Sequence, residues 1–373
     1  MTRAPRSVLL ITTRQIGDVL LTTPLLRSMR RAFADAVIDV LVYTDKGGML
    51  EGNPDRNEVI AVDEHPDRRG YARLFRRIFR RYELAVTTQA NDRSHLYAWL
   101  ASARRVGLVP DMRWSSAWKR ASCEAFALLD NVHTHTVVQN LRIADLLGIK
   151  KCYQVVPPEG LDADSQIDSA LPGPRGAHCA VLHPFPMWHY KRWTQEGWTD
   201  LIRWLHDKGL RVVLSGGPDA EEKAFCEALA KRSDAFDLTG KLSFGILPAL
   251  YRRARLFVGP DTSATHLAAA CGVPTLAIYG PTNPVKWGPW PANGDSYEKS
   301  PYRMLGRPWQ RAGNVIVLQG VQPPDLGRCV PCLGEGCDRH KRSASRCLTE
   351  MPADPVTAAA QELLANPAAT SPH

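Results

Sequence analysis

Short apolar runs alternate with longer stretches of helical spacing along most of this chain. Ser7 to Thr12 is a β-branched and Leu-rich run; Val19, Leu20, Leu25, Leu26 and Met29 then recur at helical spacing as far as Phe33, and a second run follows at Val37 to Tyr43. Unbroken apolar runs predict strands buried on both faces, as in parallel sheets, whereas the spaced pattern predicts helices with one buried face. The rhythm continues through Val59 to Asp63, Arg68 to Tyr82, Leu84 to Thr88, a helix near Ser94 to Ala101, and Arg105 to Leu108. Thr136 to Leu147 then reads as a clear helix, ended by Gly148.

Pro157 to Gly176 is rich in Pro, Gly, Asp and Ser and reads as a linker, after which the alternation restarts. Ala177 to His183 is a strand, Thr194 to His206 a helix, Arg211 to Ser215 a strand, and Ala220 to Lys231 a helix. A helix near Phe244 to Arg252 leads to the strand ending Leu256-Phe257-Val258. Gly259-Pro260 turns the chain, Ser263 to Cys271 is a small apolar helix stopped at Gly272, and Thr275 to Tyr279 is a buried strand. A last helix covers Pro355 to Leu364. Two doubly wound α/β domains in tandem are therefore predicted, over residues 1–170 and 171–350, with residues 351–373 as a helical tail.

At 373 residues, 44% hydrophobic and 23% charged, the chain has the composition of a globular protein too long for one ordinary core. No apolar run is long enough to span a bilayer, and no cleavage-like site follows the first strand, so a cytoplasmic location is expected. The net charge of +9 is concentrated in residues 1–150, which hold 23 Lys and Arg against 16 Asp and Glu. Within Arg68 to Tyr82, Tyr71, Leu74, Phe75, Ile78, Phe79 and Tyr82 share one helical face, and Arg73, Arg76, Arg77, Arg80 and Arg81 fall largely opposite. The plainer reading is a helix that packs its aromatics on the sheet and leaves its arginines in water. The other is a basic amphipathic helix that meets an anionic membrane through Arg73 to Arg81.

Candidate chemistry lies in the loops after the strands, where α/β sheets bind ligands. In the first half Gly17 allows a tight turn and Asp18 stands at a helix start, either as a cap or as a chemical group. In the second half Lys191 is a point charge, Gly216 and Gly217 permit close backbone approach, and Asp219, Glu221 and Glu222 are acceptors suited to ribose hydroxyls. Asp261, Thr262 and Ser263 open a helix whose free amides suit an anion, with His266 one turn on. Cation, anion-binding helix end and diol acceptor together suit a nucleoside diphosphate. Neither half has a G-x-G-x-x-G or Walker loop, which argues against an ordinary NAD enzyme or P-loop NTPase. His133 and His135 do not share a helical face and have no further ligand nearby, so they read as a helix cap or cleft lining and not as a metal pair. Cys329, Cys332, Cys337 and Cys347 could hold zinc, form disulfides or remain free thiols, with no catalytic part in any case.

These residues carry a resemblance. Ile16-Gly17-Asp18-Val19-Leu20 with Thr22-Thr23-Pro24, His183-Pro184 followed by Lys191-Arg192-Trp193, Asp237-Leu238-Thr239-Gly240, Asp261-Thr262 with His266-Leu267-Ala268, and Tyr279-Gly280-Pro281-Thr282-Asn283-Pro284 resemble, in order and spacing, the ADP-heptose:lipopolysaccharide heptosyltransferases of glycosyltransferase family 9. The resemblance implies a GT-B fold of two Rossmann-like domains facing each other across a cleft, the first for the acceptor and the second for the nucleotide sugar. The C-terminal tail would then cross back onto the first domain.

It further implies inverting transfer of heptose from an ADP-sugar donor, ADP-L-glycero-D-manno-heptose, to a lipid-linked or oligosaccharide acceptor of the lipopolysaccharide core. No metal, cofactor or nucleic acid is implied, and the work would be done at the inner face of the inner membrane. Asp18 then matches the general base and Lys191 the cation that meets the departing diphosphate. Asp261, Thr262, Ser263 and His266 would hold phosphates or sugar; Gly216 and Gly217 would admit the nucleotide, with its ribose on an acid among Asp219, Glu221 and Glu222. Relatives with another acceptor, such as a protein or an O-chain, relatives with another nucleotide sugar, and a noncatalytic glycan-binding module are the alternatives. Two departures fall at the donor pocket, Phe185 after His183-Pro184 and Thr262-Ser263-Ala264 after Asp261.

Overall fold

The computed structural model describes residues 3–112, 114, 116–171, 178–306 and 308–366. The chain divides into two compact units. One runs to Pro158 and takes in Gly294–Lys299; the other holds Glu159–Asn293 and resumes at Ser300.

The first unit is built on six parallel strands: β1 (Ser7–Ile11), β2 (Val37–Tyr43), β3 (Val59–Val62), β4 (Leu84–Thr87), β5 (Arg105–Val109) and β6 (Ala125–Leu128), in the spatial order β3-β2-β1-β4-β5-β6. β1 is in register with Val37–Leu41 on one side and Leu84–Thr87 on the other, and Val8 to Ile11 are fully buried. The order reverses at the β1/β4 boundary, where the loop Thr12–Gln15 leaves the sheet. Thr13 and Ser94 join hydroxyls at 2.8 Å across that boundary, tying the loop to the start of the helix Asp92–Ala101.

The second unit carries β7 (Cys179–Leu182), β8 (Arg211–Leu214), β9 (Phe236–Asp237), β10 (Ala254–Pro260), β11 (Thr275–Tyr279), β12 (Trp309–Ala312) and β13 (Val315–Gln319), in the order β12-β13-β11-β10-β7-β8-β9. All pair in parallel except β12 with β13. The reversal falls between β7 and β10, so the loops after both open side by side at the carboxyl edge. The β12–β13 hairpin lies in a part of the sequence where no element is predicted. Its turn uses Gly313 at φ 52°, and Asn314 beside it is buried. The Asn314 amide donates to the carbonyls of Ala269 and Val273 at 3.0 and 2.8 Å and accepts from the Ala292 amide at 3.0 Å.

Three expectations need correction. Within Pro157 to Gly176 the chain folds into a helix, Ala163–Ala170, because Ile167 is buried and Arg253 pairs with Asp164 and Asp168 at 2.5 and 2.7 Å; residues 172–176 lie outside the described residues. The last helix, Asp354–Ala365, docks on the second sheet: Val356, Ala359, Ala360 and Leu363 join the core of β7, β8, β10, β11 and β13, which uses up its apolar face. The helix predicted over Arg68 to Tyr82 ends at Ile78, and Arg80 takes a left-handed φ of 54°. Only Leu74 and Ile78 of this helix are buried, with Tyr82 beyond it, while Tyr71, Phe75 and Phe79 are 43%, 42% and 45% exposed. Among the described residues no helix is long and apolar enough to cross a membrane.

Replacing Asn314 by Ala removes three hydrogen bonds at the hairpin turn, with Gly272 and Thr275 still donating to the Ala269 and Val273 carbonyls, and costs about 1–3 kcal/mol. The second unit of Asn314→Ala is expected to melt several degrees below wild type, measured by differential scanning calorimetry; an unchanged transition would show that water replaces the amide.

Candidate functional site

Asp261 follows β10 directly and is buried, and Lys191 reaches it from the turn that closes the loop after β7. The Lys191 ammonium donates to Asp261 Oδ2 at 2.5 Å and lies 3.4 Å from the Asp261 carbonyl. Burial pushes the Asp261 carboxyl up, but the Lys191 charge and hydrogen bond outweigh it and hold the pKa below the ordinary value. Tyr279, at the end of β11, donates its hydroxyl to the Trp287 carbonyl at 2.7 Å and stands 3.4 Å from Asp261 Oδ1. His266 Nε2 is 3.9 Å from the same oxygen, and burial drives its pKa to about 4, so the ring is neutral near pH 7. Its Nδ1 is buried with no hydrogen-bond partner.

The helix Ser263–Ala270 starts from this pair. Thr262 is its N-cap and accepts from the Thr265 amide at 3.4 Å, while Thr265 donates to the Pro260 carbonyl at 2.6 Å and tightens the turn. Thr262 and Ser263 stay half-buried at the mouth, where the first-turn amides point outward.

A second group lies next door, after β8. Asp219 accepts from the amides of Glu221 and Glu222 at 2.9 and 3.3 Å, so its carboxylate is engaged in capping the helix Ala220–Ser233. Glu221 is exposed and takes a 2.6 Å hydrogen bond from Arg192. Glu222 differs from both. It folds back over Gly216 and Gly217, its Oε1 is buried without a hydrogen-bond partner, and burial raises its pKa. A Cβ on Gly216 would stand 2.6 Å from that oxygen, so glycine is required for the approach. His183 Nε2 is 3.8 Å away, its own pKa pushed by burial to about 4.

Phe185 is buried against Phe225 and beneath the Arg192 guanidinium, 3.9 Å from its ring centre, and so forms the wall under the loop. The cysteine-bearing segment buttresses the same loops. Ser345 donates to the Tyr190 carbonyl at 2.7 Å, His189 Nδ1 lies 3.2 Å from the Ser343 carbonyl, and the Leu333 amide donates to the Pro281 carbonyl at 2.9 Å. These supports and Tyr279 were not among the predicted site residues, since each acts across a long gap in sequence and has no motif of its own. Cys329, Cys332, Cys337 and Cys347 are free thiols. Burial and the neighbouring thiols push Cys347 up to about 12, and among the described residues no three His, Cys, Asp or Glu side chains are set to hold a metal ion.

In the first unit the helix Ile16–Leu20 has Gln15 at its N-cap, so Asp18 sits within the first turn and not at the cap. Asp18 is buried at the carboxyl edge of β1, with Arg14 Nε 3.7 Å from its carboxylate and its own carbonyl accepting from the Thr22 hydroxyl at 2.8 Å. His135 caps the helix Thr136–Leu147 by accepting from the Val137 amide at 3.1 Å, which gives that histidine its structural part.

The model of glycosyltransferase family 9 (heptosyltransferase) matches residues 71–303. The chain belongs to glycosyltransferase family 9. Lipopolysaccharide heptosyltransferase 3 of Escherichia coli is 28% identical over 325 residues, covering 83% of this chain and 94% of the relative. The family 9 glycosyl transferase of Veillonella parvula superposes with a TM-score of 0.75 at 20% identity over 97% of each chain. E. coli heptosyltransferase WaaC with ADP gives 0.67 at 20% identity over 95% of this chain and 99% of the other. The two parallel-sheet units of this family 9 chain thus have the GT-B-like fold of those structures.

Two measurements probe this group. Lys191→Ala strands a buried carboxylate and should cost about 3–5 kcal/mol, whereas Lys191→Met with Asp261→Asn should recover most of it; chemical denaturation of the three proteins checks this. His183 and His266 have folded pKa values of about 4, below the ordinary 6.5. Between those values the unfolded chain binds more protons, so their contribution is complete above about pH 6.5 and is lost as pH falls toward 4. The melting temperature should therefore decline from pH 7 to pH 5, and more gently in His183→Asn/His266→Gln. Parallel curves would remove these histidines from the account.

Proposed function

We propose that this protein is an inverting glycosyltransferase that moves heptose from ADP-L-glycero-D-manno-heptose to a lipopolysaccharide core acceptor. The observation that carries the reading is the buried Lys191–Asp261 pair at the start of the helix Ser263–Ala270, with the unpartnered oxygen of Glu222 on a neighbouring strand end. A nucleoside diphosphate presents to such a site two phosphates for the ammonium and the helix amides, and two ribose hydroxyls for a buried acceptor. Among the three acids considered for the ribose, Glu222 suits the part best, because Asp219 is capping and Glu221 is paired with Arg192. Membership of family 9 and the relatives named for heptose transfer support the choice of sugar and acceptor.

In this reading the acceptor hydroxyl attacks the anomeric carbon as Asp18 accepts its proton. The bond to the ADP oxygen breaks on the opposite face, and Lys191 with the Thr262–Ser263 turn meets the charge that develops on the leaving diphosphate. The pairing with Asp261 holds the Lys191 side chain in place before the donor arrives, and the neutral His266 fills the back of the turn without adding charge. No metal is needed, since the ammonium and the amides supply the positive charge.

Asp18→Asn should lower kcat by about 100-fold or more while ADP affinity, measured by calorimetry, stays within twofold of wild type on the order set by general-base loss. Full turnover in the variant would remove Asp18 from the mechanism. Glu222→Gln should weaken ADP binding and abolish the preference of wild type for ADP over 2′-deoxy-ADP. A preference that survives would place the ribose elsewhere.

A further inference from the structure

The positive charge of this protein is more local than its halves suggest. Residues 68–122 hold 13 Lys and Arg against 3 Asp and Glu, and the rest of the chain holds 34 against 35. This segment contains three helices of the first unit, Arg68–Ile78, Asp92–Ala101 and Ala117–Ser122, which lie side by side in chain order against the sheet. The Arg80 amide donates to the Leu100 carbonyl at 2.9 Å, joining the ends of the first two. Trp118 and Lys119 both donate to Asp92, at 3.0 and 2.6 Å, joining the third to the second.

The same three helices expose large apolar side chains that the core does not use. Tyr71 and Phe75 on the first helix and Phe79 at its C-terminal cap recur every fourth residue, with Phe75 and Phe79 stacked at 4.4 Å between ring centres. Leu96 and Trp99 stand on the second and Trp118 on the third, each between 43% and 46% exposed. At about 100° per residue, Tyr71 and Phe75 lie between the buried Leu74–Ile78 seam and a band of exposed arginines, Arg69, Arg73 and Arg76, and the exposed Phe79 and Arg80 follow just past the helix end. An amphipathic crossover helix normally turns its aromatics inward. Here only the narrow seam does so.

We infer that this three-helix face docks on an anionic phospholipid bilayer, with the aromatic and Leu side chains entering the headgroup boundary and the arginines meeting lipid phosphates. Charge complementarity selects the occupant. A second copy of this face would be repelled by the same surplus, and a purely polar polyanion would leave the apolar stripe in water. A membrane surface satisfies both at once: basic residues near anionic lipid and apolar area at the interface reinforce each other. The choice of a bilayer rests in part on reading the acceptor as lipid-linked; the face itself rests on these residues.

The test is sedimentation of the full chain with phosphatidylcholine vesicles, with and without phosphatidylglycerol, at low and physiological salt. Wild type should bind the anionic vesicles at least about tenfold more tightly than the neutral ones, with affinity falling as salt rises. Arg69→Gln/Arg73→Gln/Arg76→Gln/Arg80→Gln and Tyr71→Ser/Phe75→Ser/Phe79→Ser should each lose about tenfold or more, while ADP affinity by calorimetry remains that of wild type. Equal binding to both vesicle types, or variants that bind like wild type, would overturn the proposal. So would binding that needs the arginines but not the aromatics and is matched by duplex nucleic acid. Vesicle binding in a wild-type protein that fails to bind ADP would sink the donor-site reading and leave this surface standing.

Discussion

A parallel sheet covered by helices on both faces has one place left for chemistry, the carboxyl edge where its strands release their loops. Both sheets of this protein obey that constraint. Their central strands are apolar without alternation because neither face meets water, as in Val8 to Ile11 and Cys179 to Leu182. Every polar group considered for function then sits just beyond a strand end: Asp18 after β1, Lys191 after β7, Glu222 after β8 and Asp261 after β10. In the second sheet the strand order reverses between β7 and β10, which opens the loops bearing Lys191 and Asp261 beside one another.

Electrostatics at that edge are arranged around one buried ion pair. An ammonium and a carboxylate pair at 2.5 Å in a setting that disfavours charge on its neighbours. His183 and His266 are both far below the ordinary histidine range, and Glu222 is above the ordinary carboxylate range. Burial is the first cause in all three. The outcome is an edge with a paired ammonium, uncharged imidazoles, and an acid whose buried Oε1 has no hydrogen-bond partner, and the proposed nucleotide site rests on these features.

The first unit distributes its charge differently. Its distinguishing feature is outward: three adjacent helices that concentrate the basic surplus and expose aromatics. Those helices still do their structural duty through a thin seam, Leu74 and Ile78 in the first and Tyr97, Ala98 and Ala101 in the second. A seam that narrow is enough to hold a crossover helix on a sheet and frees the remaining circumference for another task.

The sequence by itself determined the α/β alternation, the tandem architecture and the positions of Asp18, Lys191 and Asp261, because apolar periodicity and strand-end motifs are local signals. It also marked the basic helix. It did not separate Asp219, Glu221 and Glu222, which are equivalent as letters and differ only once Asp219 caps a helix, Glu221 meets Arg192 and Glu222 folds over Gly216. The stacking of Arg192 on Phe185 was not legible in the sequence. The β12–β13 hairpin, held by β11 and by Asn314, the helix Ala163–Ala170, the docking of the last helix, and the buttressing by Ser345 depended on partners tens to hundreds of residues away. Which face of Arg68–Ile78 is buried was likewise a tertiary decision. Periodicity shows that a helix has an apolar side, but how much of that side the sheet covers is set by the packing of neighbours that the local sequence does not name.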